Sequence, residues 1–489
     1  VYVILFVFYS YMPVSSPATW RAVASGQATR AGDHAFVARV PYAQGMRHAH
    51  FGWASDWILA RLHAWEGPAV LAIGFAITLT LGLVLWNVVF YLLIRRWFAV
   101  AGPLAIAVLN VHELDGLHHG TLGLVCFAIL FLMVLSSRRH PTNEFSWSSA
   151  SRIQWAAMLL LFAVWSNLDV GAVWGVAVLF VFAVERLVSF RYQAHWKDVW
   201  ADREFQCRVW LLEAAFVSTL LNPLGIGYWS SLLSWPDNAF VRQMQGWSSP
   251  TFASWIGVGV LISWSGWVFL RLTCRRPAFL WTALPVCVTV ATAAHQLAFA
   301  WFVPVMAMSI AALYNSSHHH GIRWLMTNRQ VAHPPERMRF AFTLLSILIL
   351  WVGFCVSPAG VLFGGTPRSI SQTLGRTMPH GAEAFLMQQP SQAVVLAPAH
   401  WTDYLMANTH CRYCTSYAAC GIPASVERDA AEILGGVSGW NSLADKYVLQ
   451  FIVVDKRQQV ALVRAVRRGT TEWNIAYEDE TTVVVGRDT

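Results

Sequence analysis

Hydrophobic positions dominate this chain in long unbroken runs, interrupted by short polar connections. Runs of 14 to 26 residues approach the length of a bilayer crossing, which takes ~20 residues as a helix. The pattern predicts spans over 1–14, 68–93, 97–111, 117–136, 153–168, 170–190, 208–222, 252–272, 279–294, 296–314 and 340–357, about eleven in all. Several are short enough to require tilting or re-entry. From about residue 359 the pattern changes to brief alternating runs, Ala393-Val394-Val395-Leu396, Phe451-Ile452-Val453-Val454 and Thr482-Val483-Val484-Val485, which predict strands. Helices are expected between them at 423–435 and 457–467. The expected architecture is thus mainly α: a polytopic membrane domain over 1–358, with a long first loop at 15–67, followed by a small α/β domain over 359–489.

Composition supports that reading. Of 489 residues, 56% are hydrophobic and 12% charged, with mean hydropathy +0.46, outside the range of a soluble globular protein. The chain opens at Val1 within an apolar run and without a basic region before it, the pattern of a clipped first helix and not of a cleaved signal peptide.

Charge then sets an orientation. With the first loop outside, the inner connections hold Arg95 and Arg96, Arg138, Arg139 and Arg152, Arg186 to Arg208, Arg271 to Arg276 and Arg323 to Arg339. The outer ones hold little beyond five Arg in the first loop and Arg242. Short basic loops resist translocation, so the net charge of +8 is topological and a nucleic-acid partner is not expected. An odd number of spans places the tail domain outside the membrane, on the extracytoplasmic side.

Polar motifs collect on that same outer side. The first loop carries Asp33, His34, His48, His50, Asp56 and His63 among Trp20, Trp53, Trp57 and Trp65. A loop of this length is seldom a mere connection. It predicts a partly helical lid, or an interfacial anchor in which Trp57, Leu59, Leu62 and Trp65 meet lipid and Asp56 meets water. The turn from Val111 to Gly120 holds two carboxylates and three imidazoles, of which Asp115 and His118 are candidate ligands for a divalent cation. Asn167 and Asp169 sit at a span end, where a carboxylate is costly and calls for a partner or a function. Asn222-Pro223-Leu224-Gly225 breaks a helix and frees backbone groups to line a polar cavity. His295 lies in a tight turn facing the same compartment. On the inner side His318-His319-His320 and the basic run to Arg339 suit anionic lipid head groups. Cys411, Cys414 and Cys420 follow His410 in the tail, where one disulfide with a spare thiol is expected over a Cys3His zinc site. Walker-type, GxGxxG and GxSxG motifs are absent from the sequence, so ATP-driven transport and α/β-hydrolase chemistry have no support.

The order of these pieces resembles a large family of bacterial membrane proteins related to the GT-C glycosyltransferases. The resemblance covers almost the whole chain. It rests on Asp33, Phe36, Gly45, Trp53 and Asp56 in the first loop, on Trp165-Ser166-Asn167-Leu168-Asp169, and on Leu221-Asn222-Pro223-Leu224-Gly225. Gln245-Gly246-Trp247-Ser248-Ser249-Pro250, Trp401-Thr402-Asp403-Tyr404-Leu405, Lys446-Tyr447 to Asp455-Lys456 and Trp473 to Asp479 extend it. The chain departs from the family pattern at Asp33-His34-Ala35-Phe36, shifted by one residue, and at Gln245, where Glu is usual. The resemblance implies a multi-pass protein of the bacterial inner membrane that transfers a sugar from a polyprenyl-phosphate donor to a glycan, lipid or protein acceptor of the envelope. It also implies an outer-loop carboxylate as general base, Asp33 first and Asp56 second. In that scheme Asp169, Asn167, Asn222, His295, Arg39 and Arg47 bind substrate, an Arg or a cation at Asp115 and His118 meets the donor phosphate, and membrane lipids surround the spans. Two other classes remain open, a GT-C-like scaffold without catalysis in envelope assembly and a transporter of lipid-linked or polar substrates.

Overall fold

The computed structural model describes residues 1–31, 39–43, 51–94, 97–111, 114–139, 149–193, 196–234, 249–273, 279–316, 336–363, 365–366, 368–416, 422–468 and 472–487. Each apolar run contains a helix, but the helices differ greatly in length. Among the described residues five are long and apolar enough to cross a membrane: Pro68–Ile94, and the windows His119–Ser136, Ala172–Ser189, Trp255–Leu272 and Phe299–Ser316. Leu280–Ala294 and Leu344–Val356 are apolar but shorter. Among the described residues the expected count of about eleven is therefore not confirmed. Tyr2–Ser10 and Ala101–Leu109 have nine residues each, which rise only ~14 Å against a hydrocarbon core ~30 Å thick.

Helix Pro68–Ile94 packs on Tyr2–Ser10 and on the helix His119–Arg139. It turns Leu71, Phe75, Leu79, Trp86 and Phe90 inward while Ile77, Leu81, Val88 and Tyr91 stay exposed. An apolar face left uncovered along a helix of this length is a lipid-facing surface. Inside, Trp86, Phe127, Trp165 and Trp301 form an aromatic core, with Phe127 edge-on to Trp301 at 5.2 Å between ring centroids. Helix Arg203–Thr219 packs on Ser149–Leu168 and Ala172–Gln193. At one end of these helices Arg186 pairs with Asp202 at 2.5 Å, and Arg208 with Glu204 at 2.6 Å, so these basic residues are held by acidic partners.

The first loop contributes two helices, Pro17–Ala31 and Trp53–Glu66, packed against each other. Gly26 makes that approach possible: a Cβ there would stand 2.0 Å from the Asp56 carbonyl oxygen. Trp57 and Trp65 face outward, with the Arg61 guanidinium 5.2 Å over the Trp57 ring. Leu59 and Asp56 are buried. The helix therefore has an exposed aromatic stripe, but its carboxylate is on the opposite, protein-facing side.

The tail forms a five-stranded sheet in the order β2-β1-β3-β5-β4. β1 (Val394–Leu396) runs parallel to β2 (Arg412–Tyr413) and to β3 (Phe451–Asp455). β5 (Thr482–Arg487) runs antiparallel to β3 and to β4 (Trp473–Glu478). Helices Ala399–Asn408, Ala424–Gly435 and Val460–Arg467 lie between strands. Trp401 and Tyr404 are core residues: the indole donates to Thr377 O at 3.0 Å, and the phenol donates to the Glu383 carboxylate. Cys411 and Cys414 are free buried thiols, not a disulfide. They flank β2, where residues three apart leave from opposite faces of the strand. Cys420 lies outside the described residues.

The tail docks on the first loop. Trp20 stands edge-on between Tyr404 and His63, at 4.7 and 5.4 Å, and Gln27 donates to Ala407 O at 3.1 Å. Tyr42 donates to Tyr447 O at 2.6 Å. Arg39 donates to the carbonyls of Met406 and Thr409 at 2.6 and 2.7 Å, while its own carbonyl accepts from Tyr413 N at 2.8 Å. Loop and tail thus share one end of the helical bundle.

Candidate functional site

The site forms where helix Trp53–Glu66 meets the ends of two bundle helices. Gly52 precedes the loop helix, and a Cβ on it would lie 2.9 Å from Leu168 O and 3.1 Å from His119 Nδ1. Only a residue without a side chain lets the loop helix start this close to both. Asp56, one turn on, is 4% exposed, and its Oδ1 stands 3.3 Å from His119 Nδ1. Ser55 Oγ lies 3.4 Å from the same nitrogen and donates to Gly52 O at 2.7 Å. His119 opens helix His119–Arg139, so the Asp56 carboxylate also faces the positive end of a helix dipole.

Asp169 lies in the connection between Ser149–Leu168 and Ala172–Gln193 and is 4% exposed. Its Oδ2 accepts from Gly171 N at 2.9 Å. A Cβ on Gly123 would approach that oxygen to 2.2 Å, and one on Gly171 to 2.3 Å. Two glycines therefore make the space that the carboxylate fills, above the Trp301 ring. Burial pushes its carboxyl up to about 6, opposed by His119 and by backbone donors. His119 is within electrostatic reach of Asp56, Asp169 and Arg21. One imidazole thus lies near two carboxylates and a guanidinium from three other segments.

The Asp169 shift has a sign that can be measured. Its folded value lies above the ordinary carboxyl range, so its contribution to stability is complete below that range and is lost as pH rises through about 6. Ionising it costs on the order of 3 kcal/mol. Asp169→Asn, permanently neutral, is expected to raise the melting temperature at pH 8 and to change it little at pH 4. Scanning fluorimetry across that range checks this, and a lower melting temperature at pH 8 would contradict it.

The two asparagines hold the frame. Asn222 Nδ2 donates to Ser166 O at 2.8 Å, and its Oδ1 accepts from Leu224 N at 2.9 Å. The turn continues through Gly225 at φ +52. Asn167 Oδ1 accepts from Trp53 Nε1 at 2.5 Å, and its Nδ2 donates to Ala163 O at 2.7 Å. Tyr228 reaches Val170 O at 3.3 Å.

The other sequence candidates fall elsewhere. Arg39 is spent on tail carbonyls, as described above. His295 caps helix Leu280–Ala294. Asp115 accepts from Ser16 Oγ at 2.7 Å, and His118 Nδ1 accepts from Gly120 N at 3.1 Å. Among the described residues no group of three or more His, Cys, Asp or Glu side chains is placed to hold a metal ion, so the divalent cation at Asp115 and His118 finds no ligand set there. Asp33, Arg47, His112, Glu113, Phe36, Gly45 and 245–248 lie outside the described residues. Sequence reasoning did not single out Arg21, Gly26, Gly52, Ser55, His119 or Gly123. A histidine at a span start beside a run of small residues was the available signal for His119, and the glycines carry meaning only once their neighbours are known.

No protein-family model matches the chain, and no curated protein matches it. Solved structures do. ArnT from Cupriavidus metallidurans bound to undecaprenyl phosphate aligns with 99% of this chain and 96% of its own, at TM-score 0.55 and 15% identity. The oligosaccharyltransferase AglB from Archaeoglobus fulgidus, in complex with an inhibitory peptide and a dolichol-phosphate, aligns with 100% of this chain and 74% of its own, at TM-score 0.56 and 12% identity. An oligosaccharyltransferase from Archaeoglobus fulgidus tethered with an acceptor peptide aligns with 100% of this chain and 74% of its own, at TM-score 0.52 and 12% identity. The chain therefore shares the overall fold of these proteins.

Proposed function

We propose that this chain is a membrane glycosyltransferase that moves a sugar from a polyprenyl-phosphate donor to an envelope acceptor. The observation that carries this is the buried Asp56–His119 pair, set under the loop helix within a fold shared with proteins solved holding undecaprenyl phosphate and dolichol-phosphate. In this reading Asp56 accepts the acceptor hydroxyl proton as the oxygen attacks the anomeric carbon. The bond from that carbon to the phosphate oxygen breaks, and polyprenyl phosphate leaves with the electron pair. Arg21, His119 and the helix end at His119 offset its charge. Asp33, in the same loop, is the other candidate for that base, and Arg47 is a further candidate phosphate contact. The uncovered apolar faces of the bundle take the prenyl tail. Basic residues at the opposite end of the helices support an outward-facing site in a bacterial inner membrane, with the tail domain on the outer side.

Phosphate recognition separates this reading from a general lipid-binding scaffold. Undecaprenyl phosphate is expected to raise the melting temperature of the purified chain in nanodiscs saturably. At 100 times its dissociation constant a ligand adds ~2.7 kcal/mol. Undecaprenol, with the same tail and no phosphate, is expected to add nothing. Equal shifts from both, or none from either, would remove the donor assignment.

A further inference from the structure

The loop helix that carries Asp56 is seated by the residues at its start. Phe51 stands edge-on to Tyr228 at 5.3 Å, and the Tyr228 hydroxyl donates to Val170 O at 3.3 Å. Gly52 fits against Leu168 O and the His119 ring, with no room for a Cβ. Trp53 donates its indole N–H to Asn167 Oδ1 at 2.5 Å. Each contact leads to the stretch 167–170, which also carries Asp169 and is braced one residue earlier by Asn222 on Ser166 O.

The Trp53–Asn167 contact differs from the other two in having a direction. An indole N–H can only donate, and along one line. The Asn167 amide cannot turn away from it, because Nδ2 donates to Ala163 O at 2.7 Å, one helical turn back. A flipped amide would set its NH2 against the indole N–H and its oxygen against that carbonyl, so a single orientation serves both partners. An edge-on ring pair tolerates sliding; a hydrogen bond weakens steeply as its line is bent.

Trp53 and Asp56 are three residues apart in helix Trp53–Glu66, neighbours on one face of it. Asp56 Oδ1 stands 3.3 Å from His119 Nδ1, at the long edge of the hydrogen-bond range, so a slip of about 1 Å along the helix axis would end the contact. Gly26 sets how closely the helix approaches its partner, but a smooth close approach does not stop a helix from sliding. The directional bond at Trp53 does.

We propose that the Trp53–Asn167 hydrogen bond is a latch that sets the register of the loop helix and so holds Asp56 against His119, which makes Trp53 and Asn167 positioning residues of the site. That the positioned carboxylate is a base rests on the transferase reading; the latch itself does not.

Solid-state NMR of the full chain in nanodiscs, with isotope-labelled histidine, reads the latch at its far end. The His119 ring-nitrogen signal is assigned by its loss in His119→Gln, and Asp56→Asn gives its position without the carboxylate partner. Trp53→Phe removes the N–H and keeps an aromatic ring; Asn167→Leu removes the acceptor at nearly the same size. Each is expected to displace the His119 signal in the direction that Asp56→Asn displaces it, and the two combined no further than the larger single change. Trp57→Phe, on the exposed side of the same helix, is expected to leave the signal in place. A bond that only adds stability would lower the melting temperature and leave His119 unmoved. An unmoved signal in both single variants, displacements that add in the double variant, or an equal displacement in Trp57→Phe would each overturn the latch. A displaced signal alongside undiminished transfer by Asp56→Asn would instead overturn the assigned base and leave the latch standing, so the two failures are told apart.

Discussion

Asp56→Asn is expected to slow sugar transfer by ~10²–10⁴-fold, the range that loss of a general base produces, with the fold retained. The substitution keeps the size and shape of the side chain, so the loop helix stays seated on Gly26 and Gly52. It removes the group that can take a proton 3.3 Å from His119. Donor binding, read by the undecaprenyl phosphate shift, is expected to persist, because Arg21 and the His119 helix end are untouched. Release of free polyprenyl phosphate from a polyprenyl-phosphate sugar, followed by mass spectrometry, measures the rate. A scaffold or a transporter predicts no change in that rate, since neither role breaks the bond to the anomeric carbon.

Gly26→Ala is expected to do comparable damage from outside the chemistry. The added Cβ would stand 2.0 Å from Asp56 O, 2.5 Å from its carbonyl carbon and 2.8 Å from Ala60 Cβ. Two of those atoms are helix backbone, which cannot rotate away as a flexible side chain could. The helices Pro17–Ala31 and Trp53–Glu66 must separate, at a cost of ~1–3 kcal/mol for overpacking. A displacement near 1 Å at Asp56 then costs ~10²-fold in rate. Both melting temperature and transfer rate should fall. Gly227→Ala serves as the control, because the nearest atom to a Cβ there is 3.9 Å away. Wild-type behaviour of Gly26→Ala would mean that the two loop helices do not pack as described.

How much of this was legible in the sequence depended on the range of the interaction. Apolar runs are local, so a helix was readable in each of them, as were β1, β3 and β5 in the tail. The lengths of the helices were not, because Tyr2–Ser10 and Ala101–Leu109 read like the middle of a span while having only nine residues each. The two-residue β2 was illegible, since its register comes only from β1 beside it. Asp56, Asp169 and Asn222 stood out because a polar group at a membrane boundary is expensive wherever it lies. Their relations were hidden. Nothing local pairs Asp56 with His119, joins Asn222 to Ser166 O, or shows that Gly123 and Gly171 make room for Asp169. Arg39 fitted a phosphate contact by charge alone, and the structure gives it to the tail carbonyls instead. Cys411 and Cys414 had the spacing of a disulfide or metal pair, yet the strand between them turns the thiols apart.

The central claim is that Asp56 and His119 act as one unit, and a double-mutant cycle in the transfer rate tests it most directly. Asp56→Asn, His119→Gln and the double variant are compared with the wild type in the polyprenyl phosphate release assay. Residues that work together are grossly non-additive, so the double variant is predicted to be no slower than the slower single one. Losses that multiply would show two independent groups and contradict the site described here.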